Sequence, residues 1–294
     1  MGRLAKVGYN KLLTRLILVA PLLGTTSESA TPAILVPPAG FNDVRLAERH
    51  GGGCSETEVL IMPKYIILAA AFMLSVPAYA EPARIIIARH AEKGTKYALC
   101  DMGTERAKAL AAQYLGRGAT APLFPAGHRP DAMLAMTMHT IDTITPAARS
   151  WNLPVIAYAI IPAKDEKDEE VDQEENQRTQ EAAHDVLMEP TYAGKNVVMV
   201  WEHKRIASAK LEKKFFGALV TLRQLLHLDQ VAAVPATWPD QTYDYFWIVD
   251  FAPGNLVPVS FHMLRQEFSA PFNDLPANGW EEGDTAHIKA GCKD

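Results

Sequence analysis

Two histidines in this sequence follow directly after apolar runs, and each has a charged neighbour that can take part in chemistry. Arg89 and His90 come after Ile85-Ile86-Ile87-Ala88, and Glu202 and His203 come after the apolar run 197–201. Runs of this kind are typical of strands that are buried on both faces. In an open α/β sheet, ligands bind at the carboxyl ends of the strands. We therefore expect the two imidazoles to lie at one rim of the sheet.

These residue types favour chemistry on an anion. A guanidinium such as that of Arg89 can bind an oxyanion, while the adjacent imidazole of His90 attacks or transfers protons. A proton donor is also needed, and Glu202 ranks slightly ahead of Glu92 for this role. An ion pair between Glu202 and a neighbouring cation, Lys204 or Arg205, is the alternative. No His-Glu-x-x-His or paired-cysteine pattern is present, so the sequence predicts no metal site.

Apolar runs alternate with amphipathic stretches in an order that predicts a parallel sheet with helices on both faces. The predicted strands are 84–88, 131–135, 155–161 and 197–201, the predicted helices are 104–115, 140–150, 179–188 and 205–226, and a hairpin at the sheet margin covers 245–251 and 256–261. The stretch 164–176 contains eight acidic residues. We predict a solvated loop or helix end there, and the alternative is a lid that repels polyanions.

Arg89-His90-Ala91-Glu92 resembles the Arg-His-Gly or Arg-His-Ala signature of the histidine phosphatase superfamily, which includes the cofactor-dependent phosphoglycerate mutases. The segment 99–107 is similar to the leucine, glycine and helix that follow this signature in the family, and His203 lies where the family has its second active-site histidine. The resemblance covers roughly residues 84–210. It implies a phosphoglycerate mutase-like fold, a three-layer α/β sandwich with a mostly parallel central sheet. It also implies that His90 is the phosphoryl acceptor, that Arg89 and His203 hold the phosphoryl oxygens, and that no metal or other cofactor takes part.

One position departs from the family pattern. The family has a second arginine in a segment of the type Ser-x-x-x-Arg-Thr-x-x-Thr, and the matching stretch here places His139 at the arginine position, with Thr140 and Thr143 in register. A histidine lacks the bidentate fork of arginine and is charged only below about pH 6.5 unless its pKa is shifted. His139 is therefore either a phosphate ligand or a plain residue of the helix start, and Lys93 or Arg149 can compensate for the missing charge.

The first 80 residues contain an export pattern. Residues 62–80 combine a short positive region, an apolar core and an Ala-x-Ala site, which together predict a signal peptide that is cleaved after Ala80. An uncleaved signal anchor is the alternative, as is a weaker export signal at 11–23. Residues 1–61 have no sustained periodicity. We predict that they are an unstructured extension or the result of a start site assigned too far upstream of Met62. The remaining residues, 81–294, are predicted to form a single catalytic domain of a periplasmic or secreted protein.

Cysteine usage agrees with export. Only Cys100 and Cys292 remain after Ala80, and an even pair in an exported protein predicts a disulfide. The alternative is two unpaired thiols. The bridge would connect the C-terminal tail to the loop after the His90 strand.

Composition excludes one class of function. The formal net charge of −5 disfavours a nucleic-acid binder. The hydrophobic content of 48% is sufficient for a large core. The sequence therefore predicts an exported phosphatase that hydrolyses a small phosphomonoester or a phosphohistidine-like group through a phosphohistidine on His90. The alternative is a catalytically impaired protein of the same type that binds an anionic ligand or partner.

Overall fold

The computed structural model describes residues 16–18, 81–161, 167–282, 286–289 and 291–293. Their strands form one mixed sheet in the spatial order β1-β4-β3-β5-β2-β6-β7. The strand bounds are β1 Leu16–Leu18, β2 Arg84–Arg89, β3 Ala132–Ala135, β4 Val155–Ala157, β5 Asn196–Trp201, β6 Tyr245–Asp250 and β7 Ser260–Arg265. The predicted α/β architecture is confirmed at this level.

The centre of the sheet is parallel and its margins are antiparallel. Strands β2, β3, β4 and β5 run parallel to their neighbours within this group, whereas β1, β6 and β7 pair antiparallel. In the β2–β5 pair, Arg89 lies opposite Trp201. The residues that follow these two positions, His90 and Glu202, therefore leave the sheet side by side.

Strand β2 is buried on both faces, as its sequence predicts. Ile85 and Ile87 belong to one apolar cluster with residues of helix 168–188, and Ile86 and Ala88 belong to a second cluster with residues of helices 101–110 and 138–151. Each of the three isoleucines is fully buried. Burial of such a side chain contributes about 2 kcal/mol, so the strand that carries the site residues is firmly anchored.

Two of the longer helices begin at side-chain caps. The bounds are α1 Asp101–Leu110 with a π-helical continuation to Leu115, α2 Met138–Trp151, α3 Asp168–Met188, α4 His203–Ile206, α5 Ala209–Lys214, α6 Leu222–Leu225 and α7 Ala286–Lys289. Cys100 caps α1, where its Sγ accepts a hydrogen bond from the backbone N–H of Gly103. Thr137 caps α2 in a reciprocal capping box with Thr140. These caps fix the two helix starts that lie nearest to the ends of β2 and β3.

The prediction of a single long helix over 205–226 is wrong. Ala207 is extended, Ser208 starts α5, Gly217 has a φ of +89°, and Thr221 starts α6. A positive φ is accessible to glycine at little cost and ends a helical turn. The apolar spacing around 215–226 therefore reflects separate short turns, which leave Phe216 95% exposed.

Three other boundaries differ from the prediction. Strand β4 ends at Ala157 rather than at residue 161, and the second hairpin strand begins at Ser260 rather than at residue 256. The described part of the acidic stretch, from residue 167, belongs to α3, which starts eleven residues before the predicted helix start at residue 179. Acidic residues in the first helical turn interact favourably with the helix dipole, which explains how a charge-rich segment extends the helix.

The predicted disulfide is present. Cys100 and Cys292 are bonded, and the backbone of Lys293 pairs with that of Lys93 in the loop after β2. The C-terminal tail is thus held against the loop next to the candidate site. Within the described residues, no helix combines the length and apolar character that crossing a bilayer demands.

Strand β1 falls within the range 1–61, and the rest of residues 1–80 lies outside the described residues. The predicted extension and signal peptide therefore stay predictions.

Candidate functional site

The two histidines meet at the end of the parallel strands. The ring centroids of His90 and His203 lie 6.0 Å apart. Strand β5 ends at Trp201 and α4 begins at His203, with Glu202 as its N-cap residue. Because the strand has ended before Glu202, this residue and His203 do not alternate across the sheet and can face the same cluster.

The hydrogen bonds of His90 define its tautomer. Its Nδ1 lies 2.7 Å from the carbonyl oxygen of Ala91, which can only accept a hydrogen bond, so Nδ1 carries the proton. The lone pair of the neutral ring is then on Nε2. Burial lowers the pKa of His90 to about 4, although the nearby Glu202 opposes this shift. The ring is therefore neutral at pH 7 and has an available nucleophilic nitrogen.

Glu202 lies at the centre of the polar contacts. Its Oε2 is 3.2 Å from Nε2 of His90 and 3.0 Å from the ammonium nitrogen of Lys93, and its Oε1 accepts a hydrogen bond from Thr137 Oγ1 at 2.8 Å. The approach of His90 Nε2 does not have hydrogen-bond geometry. Burial acts to raise the pKa of Glu202, but its interactions with the His90 ring and with the charged Lys93 outweigh burial and hold the pKa well below its usual range.

Arg89 brings a guanidinium to the same cluster. Its Cζ atom lies 3.7 Å from the ring centroid of Tyr243, and its Nη1 donates to the backbone carbonyls of Asp240 and Thr242. Nε of Arg89 is buried and has no hydrogen-bond partner among the described residues. One edge of the guanidinium is thus held by the segment 239–242, while its charge stays beside the two imidazoles.

His203 is held by an acidic side chain from outside the strands. Its Nε2 lies 2.8 Å from Oδ1 of Asp240, whose side chain is 75% exposed. Burial, with the nearby Arg89 and His90, lowers the pKa of His203, so the ring is neutral at pH 7. A neutral ring beside a carboxylate donates through Nε2. To donate from Nε2 to a bound phosphate, His203 must first release Asp240.

The structure also brings His139 to the cluster. Its ring centroid lies 6.0 Å from that of His90, and its Nε2 contacts the carbonyl oxygen of Thr95 at 2.9 Å. Burial lowers the pKa of His139, so the ring does not carry the positive charge of an arginine at neutral pH. Of the two residues that can compensate, Lys93 lies in the cluster, whereas Arg149 is exposed in the last turn of α2, about 15 Å along the helix.

Glu92 has other contacts. Its carboxylate is fully buried and accepts three hydrogen bonds from Arg106, at 2.8 to 3.1 Å. Burial acts to raise the pKa of Glu92, but Arg106 outweighs burial and lowers it. The side chain therefore anchors the loop after His90 to α1, and Glu202 is the carboxylate that contacts the histidine cluster.

The residues that sequence reasoning missed come mainly from irregular segments. Thr137 contacts Glu202, Asp240 contacts His203, Tyr243 stacks on Arg89, and Thr143 Oγ1 accepts a hydrogen bond from the backbone of Ala91 at 2.9 Å. Thr143 is the exception, because the sequence already places it in register with the family pattern, and Thr137 lies in the same stretch.

A cleft of about 140 Å³ opens beside these residues and gives access to Glu202 and His139. Glu175 of α3 also lines the cleft, and it comes from the acidic stretch that the sequence predicts to be solvated. Burial raises the pKa of Glu175 to about 7, against the opposing charge of Arg205. Near neutral pH this carboxyl is therefore partly protonated.

Three of these side chains also have the donor types of a metal site. The ligand atoms of His90, Glu202 and His203 all lie within 4.8 Å of one another. The sequence predicts no metal there, and Arg89 and Lys93 place two positive charges beside the same atoms. Two adjacent cations favour an anion over a metal ion as the occupant.

Comparison with known proteins gives remote structural matches. No protein-family profile and no curated protein sequence matches the chain. Among solved structures, the candidate phosphohistidine phosphatase SixA from Agrobacterium tumefaciens aligns with a TM-score of 0.33 and 19% identity, over 63% of this chain and 97% of that one. A protein described as mycobacterial hydrolase 1 aligns with a TM-score of 0.35 and 14% identity, over 64% and 100%. At these TM-scores the matches carry no argument about function.

Replacing Asp240 is expected to strengthen the binding of inorganic phosphate. Its carboxylate accepts the hydrogen bond from Nε2 of His203 and repels an arriving dianion. Asp240→Asn and Asp240→Ala should therefore each lower the Kd for phosphate about three- to tenfold. Isothermal titration calorimetry measures this change. Asp229→Ala, at an exposed acidic residue elsewhere, is the control. Weaker phosphate binding in both Asp240 variants would show that this carboxylate orients His203 for binding instead of competing with the ligand.

Proposed function

We propose that this protein is a metal-independent histidine phosphatase that hydrolyses a small phosphomonoester through a phosphohistidine on His90. The observation that carries the proposal is the fixed tautomer of His90. A neutral imidazole with its proton on Nδ1 has a nucleophilic Nε2. That nitrogen lies within a cluster that also contains a guanidinium, a second imidazole and a carboxylate.

The first half of the proposed reaction transfers the phosphoryl group. Nε2 of His90 attacks phosphorus, the bond from phosphorus to the leaving oxygen breaks, and the charge on the phosphoryl oxygens is stabilised by Arg89, by Lys93 and by His203 once it is released from Asp240. His139 lies on the first turn of α2, at a helix N-terminus where anions are favoured, and it can donate its Nε2 proton to the phosphoryl group once it releases the carbonyl oxygen of Thr95.

Proton transfer completes the cycle. In the free protein Glu202 is ionised, but a bound phosphoryl dianion raises the pKa of a neighbouring carboxyl by like-charge repulsion. Glu202 can then take up a proton and pass it to the leaving oxygen. In the second half, Glu202 accepts a proton from water as that water attacks phosphorus, the phosphorus–nitrogen bond breaks, and inorganic phosphate and neutral His90 are released.

The proposal extends to the fold and the location of the protein. The mixed sheet, with apolar clusters on both faces of β2, is compatible with a three-layer, phosphoglycerate mutase-like sandwich. The disulfide between Cys100 and Cys292 is compatible with an oxidising compartment outside the cytosol. Export through the predicted signal peptide belongs to the same proposal.

Hydrolysis of para-nitrophenyl phosphate from pH 4 to pH 8, measured with and without EDTA, tests this function. We expect turnover that persists below pH 6, because burial keeps the pKa of His90 near 4 and its Nε2 stays unprotonated above that pH. The pH dependence of competitive inhibition by phenyl phosphonate is measured in parallel, and it is used to correct for the ionisation of the substrate. Activity that EDTA abolishes and zinc restores would contradict a metal-independent reaction.

A second candidate function follows from the contacts of the segment 239–242. Asp240 accepts the hydrogen bond of His203 Nε2, and backbone carbonyls of this segment accept the hydrogen bonds of Arg89 Nη1. These donors are then not available to a substrate, which favours a catalytically impaired protein that binds an anionic ligand or partner. Absence of turnover at every pH, together with retained binding of phosphate or vanadate, would favour this candidate over the phosphatase.

A further inference from the structure

A second and larger cavity adjoins the histidine cluster. It has a volume of about 510 Å³ and is lined by α4, α5, part of α3 and the segment 237–240. Four cationic side chains line it: Lys204, Arg205, Lys210 and Lys214. We call this cavity the lysine groove.

The lysine groove borders the site through three residues. Lys204 directly follows His203 in α4, and Asp240 both lines the groove and contacts His203. Glu175 lines the groove and also the cleft beside Glu202. The groove therefore lies next to the position of a phosphoryl group at His90, on the side of His203 and Asp240.

Two of the four cations in the groove already have acidic partners. Arg205 contacts Asp172 at 2.6 Å and Glu175 at 2.9 Å, and Lys214 contacts Asp172 at 2.6 Å. The acidic residues of α3 thus serve as partners for basic residues of α4 and α5. The acidic stretch, for which the sequence predicts a solvated loop, a helix end or a lid, therefore forms one wall of the groove through Asp172 and Glu175.

Lys204 and Lys210 are different. Both side chains are exposed in the groove, and neither has a hydrogen bond or ion pair with another of the described residues. An ammonium group beside an anion-binding site attracts a further anionic group and raises the local concentration of charged ligands. The groove therefore offers two available positive charges to the part of the ligand that does not react.

We propose that the lysine groove binds a second anionic group of the substrate, so that the preferred substrates are phosphomonoesters that carry another phosphate or carboxylate. This inference rests on the proposed phosphatase function and deepens it. The groove is several times larger than the cleft beside Glu202, as expected if the bulk of the substrate lies there. It also supplies a selectivity that the histidine cluster, which recognises only the phosphoryl group, does not supply.

A matched pair of flexible substrates tests this inference. Hexane-1,6-diol bisphosphate and hexyl phosphate differ only in the second phosphate, and the linker allows that group to reach either lysine. We expect wild-type kcat/KM to be about tenfold higher for the bisphosphate, and K204E/K210E to remove most of this preference through KM. The kcat for para-nitrophenyl phosphate at saturating concentration should be the same in both proteins, which separates loss of the groove from loss of the chemistry.

The control is K213E, which reverses the charge of an exposed lysine of α5 that does not line the groove. It should keep the wild-type preference. Equal kcat/KM for the two compounds in the wild type, or a preference that survives in K204E/K210E, would overturn the inference. If para-nitrophenyl phosphate is not hydrolysed, the phosphatase proposal fails by itself. Calorimetric Kd values of the two compounds on the same proteins then test the groove without turnover.

Discussion

Replacing His90 by alanine is expected to abolish phosphatase activity, with a loss of at least about a thousandfold in kcat/KM for para-nitrophenyl phosphate. The physical reason is that the attacking nitrogen is lost, while Arg89, His203 and Glu202 can still bind the anion. Phosphate binding should therefore fall much less than turnover. Steady-state kinetics and phosphate calorimetry on the same preparation measure the two effects.

The matched control for this experiment is His128→Ala. His128 is an exposed histidine in the connection before β3, so its removal should leave kcat/KM within a factor of about two of wild type. Equal activity in the wild type and in His90→Ala would end the assignment of His90 as the nucleophile. A parallel loss of activity in the control would indicate damage to the fold.

Replacing Arg106 by methionine is expected to cost about 3–5 kcal/mol in the free energy of unfolding at pH 7, because it leaves Glu92 charged and unpaired inside the protein. Both side chains of this ion pair are almost fully buried. Removing the two charges together, in Glu92→Leu/Arg106→Met, should recover much of the loss. Urea denaturation of the single and double variants measures these differences.

The pH dependence of this loss identifies its cause. The pKa of Glu92 is lowered in the folded wild type, so its contribution is present above about pH 4.5 and is lost as the pH falls through the folded pKa. In Arg106→Met the strongest opposition to burial is removed, so the pKa of Glu92 rises and this carboxyl takes up a proton more readily on acidification. The stability gap between wild type and variant should therefore narrow at low pH.

The control for this ion pair is Lys108→Met, which removes a lysine that is paired with Glu105 at the exposed surface of α1. Such exposed pairs contribute about 0–1 kcal/mol, so little loss of stability is expected. A comparable loss in both variants, or a gap that widens on acidification, would contradict a buried-charge origin.

The sequence predicts the elements whose residues are close together in the chain or repeat along a strand. The apolar runs before His90 and His203 locate two adjacent parallel strands, and strand pairing alone then brings the two imidazoles together. The disulfide between Cys100 and Cys292 is also predicted, because only two cysteines remain after residue 80.

What the sequence does not predict depends on contacts between distant irregular segments. Asp240 lies 37 residues after His203 and reaches it through a segment with no regular secondary structure. The predicted helix over 205–226 is broken because local caps and a glycine with positive φ prevail over apolar spacing, and this break creates the short helices that line the lysine groove. No periodic pattern in the sequence predicts the contact between Asp240 and His203 or the break of the helix predicted over 205–226.

The central claim is a covalent bond between phosphorus and Nε2 of His90, and trapping that intermediate tests it most directly. The wild-type protein is mixed with para-nitrophenyl phosphate, quenched in alkali within milliseconds to seconds, digested and analysed by mass spectrometry. We predict a phosphoryl group on His90 that is stable in alkali, is lost in acid and is absent from His90→Ala. Turnover without a phosphorylated residue, or with the phosphoryl group on a different side chain, would contradict the account.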